Sequence, residues 1–179
     1  MLFPHGTLWG MNTTHAERII LIGPPGSGKT TVAARVAALL GWSWVDTDGL
    51  VKNIDGRDIP TIFARDGEER FRELEASALR TALHNRHVVV ATGGGIGERA
   101  ENLALMREAG WVVSLSVRPE TALARMRLDL ERHGATPGET RPLLAGDDPL
   151  ARLYALSERR EAWYTQADDV IVTDEWDEM

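Results

Sequence analysis

The stretch Gly23-Pro24-Pro25-Gly26-Ser27-Gly28-Lys29-Thr30 matches the pattern G-x-x-x-x-G-K-[ST] at every fixed position. An apolar run, Arg18–Ile22, precedes it and a helix-like run, residues 31–40, follows it. This is the strand-and-helix context that a phosphate-binding loop, or P-loop, requires. The glycines allow backbone N–H groups to turn inward around a polyphosphate, and the helix start adds partial positive charge. We therefore predict a nucleoside triphosphate site, with Lys29 at the β and γ phosphates and the Thr30 hydroxyl on Mg²⁺.

The composition excludes several classes of function. The chain of 179 residues has a formal net charge of −7, so we expect no basic surface for nucleic acid and no membrane partner. It contains no cysteine, which excludes disulfides, thiolate catalysis and Cys-ligated zinc. No apolar run approaches the roughly 18 residues of a membrane span, and the N-terminus has no signal-peptide pattern. We expect a cytoplasmic protein in which any anion site is a local cluster of arginine and lysine.

Strand and helix signals alternate from Arg18 onward. Residues 1–17 have no periodicity and are predicted to be a disordered leader, followed by a single domain over residues 18–179. Short apolar runs of the kind found in buried parallel strands cover residues 18–22, 42–46, 87–91, 111–117 and 170–173. We predict an α/β fold of three layers, a five-stranded parallel sheet with helices on both faces. The P-loop then lies at the carboxyl ends of the strands.

One segment is less regular than the rest. Residues 128–140 combine charged side chains with Gly134, Pro137 and Gly138. We predict that they belong to a mobile lid, about residues 127–141, and not to the core. Closure of such a lid would exclude water from a transferring phosphoryl group.

The tripeptide Asp46-Thr47-Asp48 ends the second predicted strand. One carboxylate can hold Mg²⁺ through water, and the other can orient or deprotonate an acceptor hydroxyl. Because side chains alternate along a strand, we expect Asp46 and Asp48 on one face. A solvated strand end or a helix N-cap is the alternative interpretation.

Arginines and glycines provide the remaining candidates. Arg72 and Glu75 lie three apart on a predicted helix, so the glutamate can hold the guanidinium for a substrate carboxylate, although a solvent-facing ion pair has the same spacing. The run Gly93-Gly94-Gly95 follows the third predicted strand and leaves backbone N–H groups for a closely bound ligand, with a plain turn as the alternative. Of the adjacent Arg159 and Arg160, only one can face the site.

Together these motifs resemble the shikimate kinase family over about residues 18–173. The P-loop alone indicates an NTPase. The resemblance also includes, in the same order, Asp46-Thr47-Asp48, Asp66-Gly67-Glu68, Phe71-Arg72-x-x-Glu75, Gly93-Gly94-Gly95, Arg141-Pro142-Leu143-Leu144, and Arg160 before Tyr164. Such a combination makes chance similarity improbable.

The resemblance implies a P-loop kinase with a nucleoside monophosphate kinase-like fold, using ATP and Mg²⁺ to phosphorylate the 3-hydroxyl of shikimate on the way to chorismate and aromatic amino acids. A monomer is expected. The implied metal partners are Thr30 and Asp46, and the implied catalytic residues are Lys29, Asp48 and Arg141. The implied substrate-binding region is about residues 47–82, and the implied substrate-binding residues are Asp48, Arg72, Gly94, Gly95, Arg141 and Arg160. The implied nucleotide-binding residues are Gly26, Ser27, Gly28, Lys29, Thr30, Thr31 and Arg132.

The sequence departs from the family pattern in two places. An adenine-stacking arginine expected seven residues before Arg141 falls on Gly134, so Arg132, Arg127 or Arg125 is expected to replace it, and Arg132 is our assignment. The final helix of the family is expected to be absent or replaced. Two other functions stay open, a kinase for another small acidic polyol such as gluconate and a non-catalytic shikimate-kinase-like binding module.

Overall fold

The protein is described by a computed structural model covering residues 17–133, 142–144 and 147–176. Its strands are β1 (Arg18–Ile22), β2 (Ser43–Asp46), β3 (Val88–Ala91), β4 (Trp111–Ser116) and β5 (Asp169–Val172). Its helices are α1 (Lys29–Leu40), α2 (Thr47–Asp55), α3 (Ile59–Leu83), α4 (Ala100–Ala109), α5 (Pro119–His133) and α6 (Pro149–Tyr164). The strand predictions are confirmed to within one residue at each end. The predicted leader lies almost wholly outside the described residues.

The strands form one parallel sheet in the order β2-β3-β1-β4-β5. In β1, Ile20 and Ile22 face a cluster that includes Leu79 of α3 and Met106 of α4. The intervening Leu21 faces Ala33 on α1. Since both faces of the strand are buried under helices, its sequence is continuously apolar. The predicted three-layer α/β fold is confirmed.

The carboxyl ends of three adjacent strands meet at one edge of the sheet. The P-loop follows β1, the run Thr92–Gly95 follows β3, and Asp46 ends β2 on the far side of β3. Parallel strands bring such segments together at one edge, which is where open α/β sheets bind ligands. This edge therefore contains most of the residues that the sequence singled out.

Helices α2 and α3 form a unit beside this edge. Val51 of α2 packs against Ile62, Phe71 and Leu74 of α3, and all four side chains are buried. The helical dihedral angles of α3 are interrupted at Gly67, whose φ of 79° favours glycine. The unit corresponds to the predicted substrate-binding region, residues 47–82, and presents Arg72 and Glu75 to the sheet edge.

The first half of the predicted lid is helical in the structure, in contrast to the prediction. Helix α5 continues to His133, and Leu130 is buried with Met126 and Leu123. The prediction that residues 128–133 avoid regular core structure is wrong, because these apolar residues keep the three- and four-residue spacing of a helix. Residues 134–141, including Arg141, lie outside the described residues.

Within the described ranges, no helix has the length and apolarity that crossing a bilayer requires.

Candidate active site

The P-loop has the backbone shape that its glycines predict. Gly26 and Gly28 have φ of 76° and 91°, values that favour glycine. A Cβ on Gly26 would also lie 2.6 Å from the carbonyl oxygen of Ala122 on α5. The loop is therefore held against a neighbouring helix at a distance that only glycine permits.

Lys29 lies inside this loop. Its ammonium donates hydrogen bonds of 2.8 Å to the carbonyl oxygens of Gly23 and Pro24, and one of 3.3 Å to the Ser27 hydroxyl. The side chain is buried although it carries a charge, and lysine is rarely buried unless its ammonium is paired. Ser27 is also buried, whereas Thr30 and Thr31 are exposed at the start of α1. The loop holds a cation where a polyphosphate would be bound.

Thr30 and Asp46, the two predicted metal partners, are in direct contact. The Thr30 hydroxyl donates to Asp46 Oδ2 over 2.7 Å, and Asp46 Oδ1 accepts a bond of 2.9 Å from the backbone N–H of Asp48. Asp46 is therefore also the N-cap of α2. The expectation that Asp46 and Asp48 share one face of a strand is wrong, because β2 ends at Asp46 and α2 begins at Thr47.

The Thr30–Asp46 pair fits a magnesium ion. Both groups present oxygen donors, the ligands that Mg²⁺ prefers, at the start of α1. Within the described ranges, no group of three or more His, Cys, Asp or Glu side chains could hold a metal. The protein would thus supply few ligands, and phosphate oxygens and water would complete the octahedron, as Mg²⁺ allows.

A pocket lies beside the P-loop, between α2, α3, the glycine run and α6. Its empty space is about 540 Å³, part of which is open to solvent. Pro25 of the P-loop lines one part of it, and Phe63 and Phe71 line another. The predicted substrate residues that line it are Asp48, Arg72, Gly94, Gly95 and Arg160. The structure thus brings together every predicted acceptor residue that it describes.

Arg72 is buried among carboxylates, so the solvent-facing interpretation of its ion pair is wrong. Its side chain is 6% exposed, and Nη1 lies 2.8 Å from Glu75 Oε2. Its Nη2 lies 2.9 Å from Glu68 and 3.2 Å from Glu98. Burial alone would lower the pKa of the guanidinium, but Glu75, Glu98 and Glu68 together raise it. Arg72 is a fixed cation in the pocket wall.

Glu75 and Asp48 approach each other across Gly93. A Cβ on Gly93 would lie 2.5 Å from Glu75 Oε1 and 2.9 Å from Asp48 Oδ1. Burial raises the pKa of Glu75 to about 7; Arg72 opposes this shift, and the Asp48 charge adds to it. Two carboxylates are therefore held near one point of the pocket, one of them poised to titrate near neutral pH.

Each glycine of the run 93–95 has its own neighbour. A Cβ on Gly95 would lie 2.5 Å from Arg72 Nη1, and one on Gly94 would lie 3.2 Å from Pro25 Cδ and 3.4 Å from Arg160 Nη1. A plain turn would not require such close contacts with neighbouring side chains. The N–H of Gly93 donates to the buried Thr47 hydroxyl over 2.9 Å, so the expectation of free N–H groups fails there.

Of the adjacent arginines on α6, Arg160 is buried and Arg159 is exposed, as the helix geometry predicts. Arg160 Nη2 lies 2.9 Å from Glu98 Oε1, and Arg159 reaches the same oxygen from outside at 2.6 Å. Tyr164, one turn further, donates a 2.7 Å hydrogen bond to the Gly94 carbonyl. Burial raises the pKa of Tyr164 to about 12, so the phenol remains a neutral donor.

Sequence reasoning missed Glu98 and the role of Thr47. Glu98 is a single glutamate in a short 3₁₀ turn, and its partners lie far away along the chain. In the sequence, Thr47 is only the middle residue of an acidic tripeptide. A hydroxyl side chain between two carboxylates is the one signal that the sequence offers.

The predicted adenine contacts are only partly described. The side chain of Arg132 lies outside the described residues, and Arg127 is exposed on α5. Arg125 donates to the carbonyl oxygens of Thr173 and Trp176 at 2.5 Å and 3.0 Å. Its guanidinium therefore holds the segment after β5 against α5.

Comparison with known proteins gives concordant matches. The family model described as "Shikimate kinase" matches residues 25–178. A shikimate kinase of Moorella thermoacetica is 47% identical over 156 residues, which are 87% of this chain and 84% of that protein. The solved shikimate kinase from Acinetobacter baumannii in complex with shikimate has a TM-score of 0.81 at 34% identity, covering 89% of this chain and 84% of that one. The solved shikimate kinase of Bacteroides thetaiotaomicron has a TM-score of 0.80 at 30% identity, and the match covers 90% of this chain and 89% of that one.

Proposed function

The chain belongs to the shikimate kinase family, and we propose that it transfers the γ-phosphoryl group of ATP to the 3-hydroxyl of shikimate, giving shikimate 3-phosphate and ADP. One observation carries this assignment: a P-loop adjoins a pocket lined by two buried arginines and an aspartate, Arg72, Arg160 and Asp48. An anionic polyol needs cations for its carboxylate and a carboxylate for its hydroxyls, and this pocket supplies both.

The P-loop side of the site binds the donor. Lys29 would exchange the loop carbonyls for the β and γ phosphates, and the backbone N–H groups of residues 26–31 would hold the remaining phosphate oxygens. Thr30 and Asp46 would hold Mg²⁺, Asp46 through water. The ion supplies charge neutralisation on the transferring phosphoryl group.

The pocket side binds the acceptor. Arg72 and Arg160 would bind the shikimate carboxylate through charge-assisted hydrogen bonds, which fix orientation as well as contributing affinity. Asp48 would accept hydrogen bonds from ring hydroxyls and take the proton of the hydroxyl that attacks. Gly94 and Gly95 would contact the ring through their backbone, where no side chain intervenes.

Arg141 and the lid complete the proposal. Pro142, which follows Arg141 directly, and the nearby Leu144 line the pocket. Closure of the segment 134–141 would place the Arg141 charge over the substrate and exclude water from the phosphoryl group. Arg132 is proposed as the adenine-stacking residue.

We propose a cytoplasmic monomer that acts on small molecules, without a nucleic-acid or membrane partner. The net charge of −7 disfavours polyanionic partners, and the absence of cysteine is compatible with a reducing compartment.

A panel of acceptors tests the assignment. ADP release would be measured with ATP and Mg²⁺ in the presence of shikimate, gluconate or quinate, with a well lacking acceptor as the control for ATP hydrolysis. We expect a large rate with shikimate and little above the control with the other acids. A higher rate with gluconate would favour the alternative polyol kinase, and no stimulation with ATP still bound would favour the non-catalytic module.

A further inference from the structure

We propose that Glu98 is a positioning residue that holds Arg72 and Arg160 at a fixed spacing for the substrate carboxylate. The inference rests on the proposed function, because it concerns how the acceptor pocket selects an anion.

One carboxylate bridges the two arginines. Glu98 Oε2 lies 3.2 Å from Arg72 Nη2, and Oε1 lies 2.9 Å from Arg160 Nη2. The two arginine side chains are only 6% and 3% exposed, and they come from different helices, α3 and α6. A shared carboxylate therefore sets the distance between two groups that the backbone does not connect locally.

The two arginines depend on Glu98 to different degrees. Arg72 also pairs with Glu75 and Glu68, so its pose is defined from several sides. In the described part of the chain, the ion pair of Arg160 is with Glu98, and the neutral phenol of Tyr164 is a further side-chain partner. Loss of Glu98 would release Arg160 more than Arg72, and the spacing between the two would no longer be fixed.

Glu98 contacts the two arginines from outside the pocket lining. Both arginines line the pocket, whereas Glu98 is not among the residues that line it. The Nε atoms of Arg72 and Arg160 are buried and have no hydrogen-bond partner among the described residues. Glu98 thus contacts one Nη2 atom of each guanidinium from outside the pocket lining.

The backbone that carries Glu98 is itself rigid. Its N–H donates to the Gly95 carbonyl over 2.9 Å, which ties it to the glycine run. The buried side chain of Asn102 donates to the Ile96 carbonyl over 3.0 Å and fixes the same turn. Burial would raise the pKa of Glu98, but Arg160, Arg72 and Arg159 hold it below its ordinary value, so the carboxylate is charged at neutral pH.

The charge of Glu98 has an electrostatic effect that opposes its positioning role. A negative charge beside the arginines also weakens the positive potential that attracts an anion. If that effect dominated, removal of Glu98 would tighten shikimate binding. Positioning predicts weaker binding, so the sign of the change decides between them.

The experiment compares Glu98→Ala and Glu98→Gln with wild type and with the control Glu69→Gln. Glu69 is a matched control because its side chain is 79% exposed and its ion pair is with Arg99, outside the pocket lining. We expect the shikimate KM to rise about tenfold in Glu98→Ala and less in Glu98→Gln, which keeps one oxygen acceptor. The kcat and the KM for ATP should stay within about twofold, as expected when ground-state binding is lost.

Calorimetric binding of shikimate and of its methyl ester supplies the readout that a general loss of structure would not produce. The ester lacks the charge that the arginines bind, so its Kd should change little between wild type and the Glu98 variants. Provided that the wild type is active, a shikimate Kd or KM that is unchanged or lower in the Glu98 variants would overturn the inference. Binding of the ester that weakens as much as binding of shikimate would overturn it as well. A wild type without shikimate-dependent ADP release would instead remove the proposed function and this inference with it.

Discussion

Arg72 donates a 2.8 Å hydrogen bond to Glu75 one helical turn away, and both side chains are buried in the wall of the acceptor pocket. A buried ion pair contributes little to stability by itself, because desolvation of the two charges offsets their attraction. This ion pair positions the guanidinium of Arg72, whose planar donors match a carboxylate.

The first prediction concerns Arg72→Ala. We expect the shikimate kcat/KM to fall about 10³-fold, because a charge-assisted contact and the substrate register are lost together. The free energy of unfolding should also fall, by about 3 kcal/mol, because Glu75 is left without its cation. Steady-state kinetics and urea denaturation measure these effects. The control is Arg70→Ala, whose ion pair with Glu73 is exposed; equal losses in the two variants would contradict the assignment.

Lys29→Met tests the donor side. The kcat should fall about 10³-fold, because the cation that stabilises the transferring phosphoryl group is removed. The shikimate Kd should change little, since Lys29 is not part of the acceptor pocket lining. The control is Lys52→Met on the exposed side of α2. Retention of full activity by Lys29→Met would be incompatible with the P-loop mechanism.

Gly95→Ala tests the close approach of Arg72 to the backbone. The new methyl group would lie 2.5 Å from Arg72 Nη1, so the guanidinium must move out of its ion pairs. We expect the shikimate KM to rise about tenfold with the KM for ATP unchanged. Gly49→Ala is the matched control, because a Cβ there meets nothing within 4 Å. A silent Gly95→Ala variant would show that the guanidinium position is not critical.

The pH dependence of stability tests the environment of Glu75. Burial raises its pKa in the folded state from 4.5 to about 7, so the folded protein binds more protons than the unfolded chain between these values. The contribution of Glu75 to stability is therefore fully present below about pH 4.5 and is lost as the pH rises through 7.

The expected comparison is between wild type and Glu75→Gln, which cannot titrate. The free energy of unfolding of the variant relative to wild type should rise by roughly 1–3 kcal/mol from pH 5 to pH 8. Urea denaturation at both pH values measures this, with the exposed Glu73→Gln as the control. A relative stability that stays constant or falls over the same interval would contradict this prediction and would mean that Glu75 is already charged at pH 5.

The sheet and the P-loop could be predicted because their signals are local. Buried parallel strands are continuous apolar runs, and the P-loop glycines are required within a few residues of one another. The relation of Asp46 to Asp48 could not be predicted, since a helix begins directly after β2 and replaces strand alternation. The strand passes directly into a helix here because Asp46 makes an N-cap bond. From the sequence, this N-cap is only one of several possible roles of Asp46.

The contacts within the site were predictable to a smaller degree. The spacing of Arg72 and Glu75 allowed either a buried or an exposed pair, and only the packing of α3 against α2 and the sheet decided between them. Glu98 carried no sequence signal at all, because its contacts with Arg72 and Arg160 arise from the assembly of three separate elements.

Identification of the product is the most direct test of the central claim. The protein would be incubated with ATP, Mg²⁺ and shikimate, and the products would be examined by phosphorus and proton NMR. We expect a phosphate ester on the 3-hydroxyl of shikimate, formed in a one-to-one ratio with ADP. Inorganic phosphate without an ester, or an ester at another hydroxyl, would contradict it.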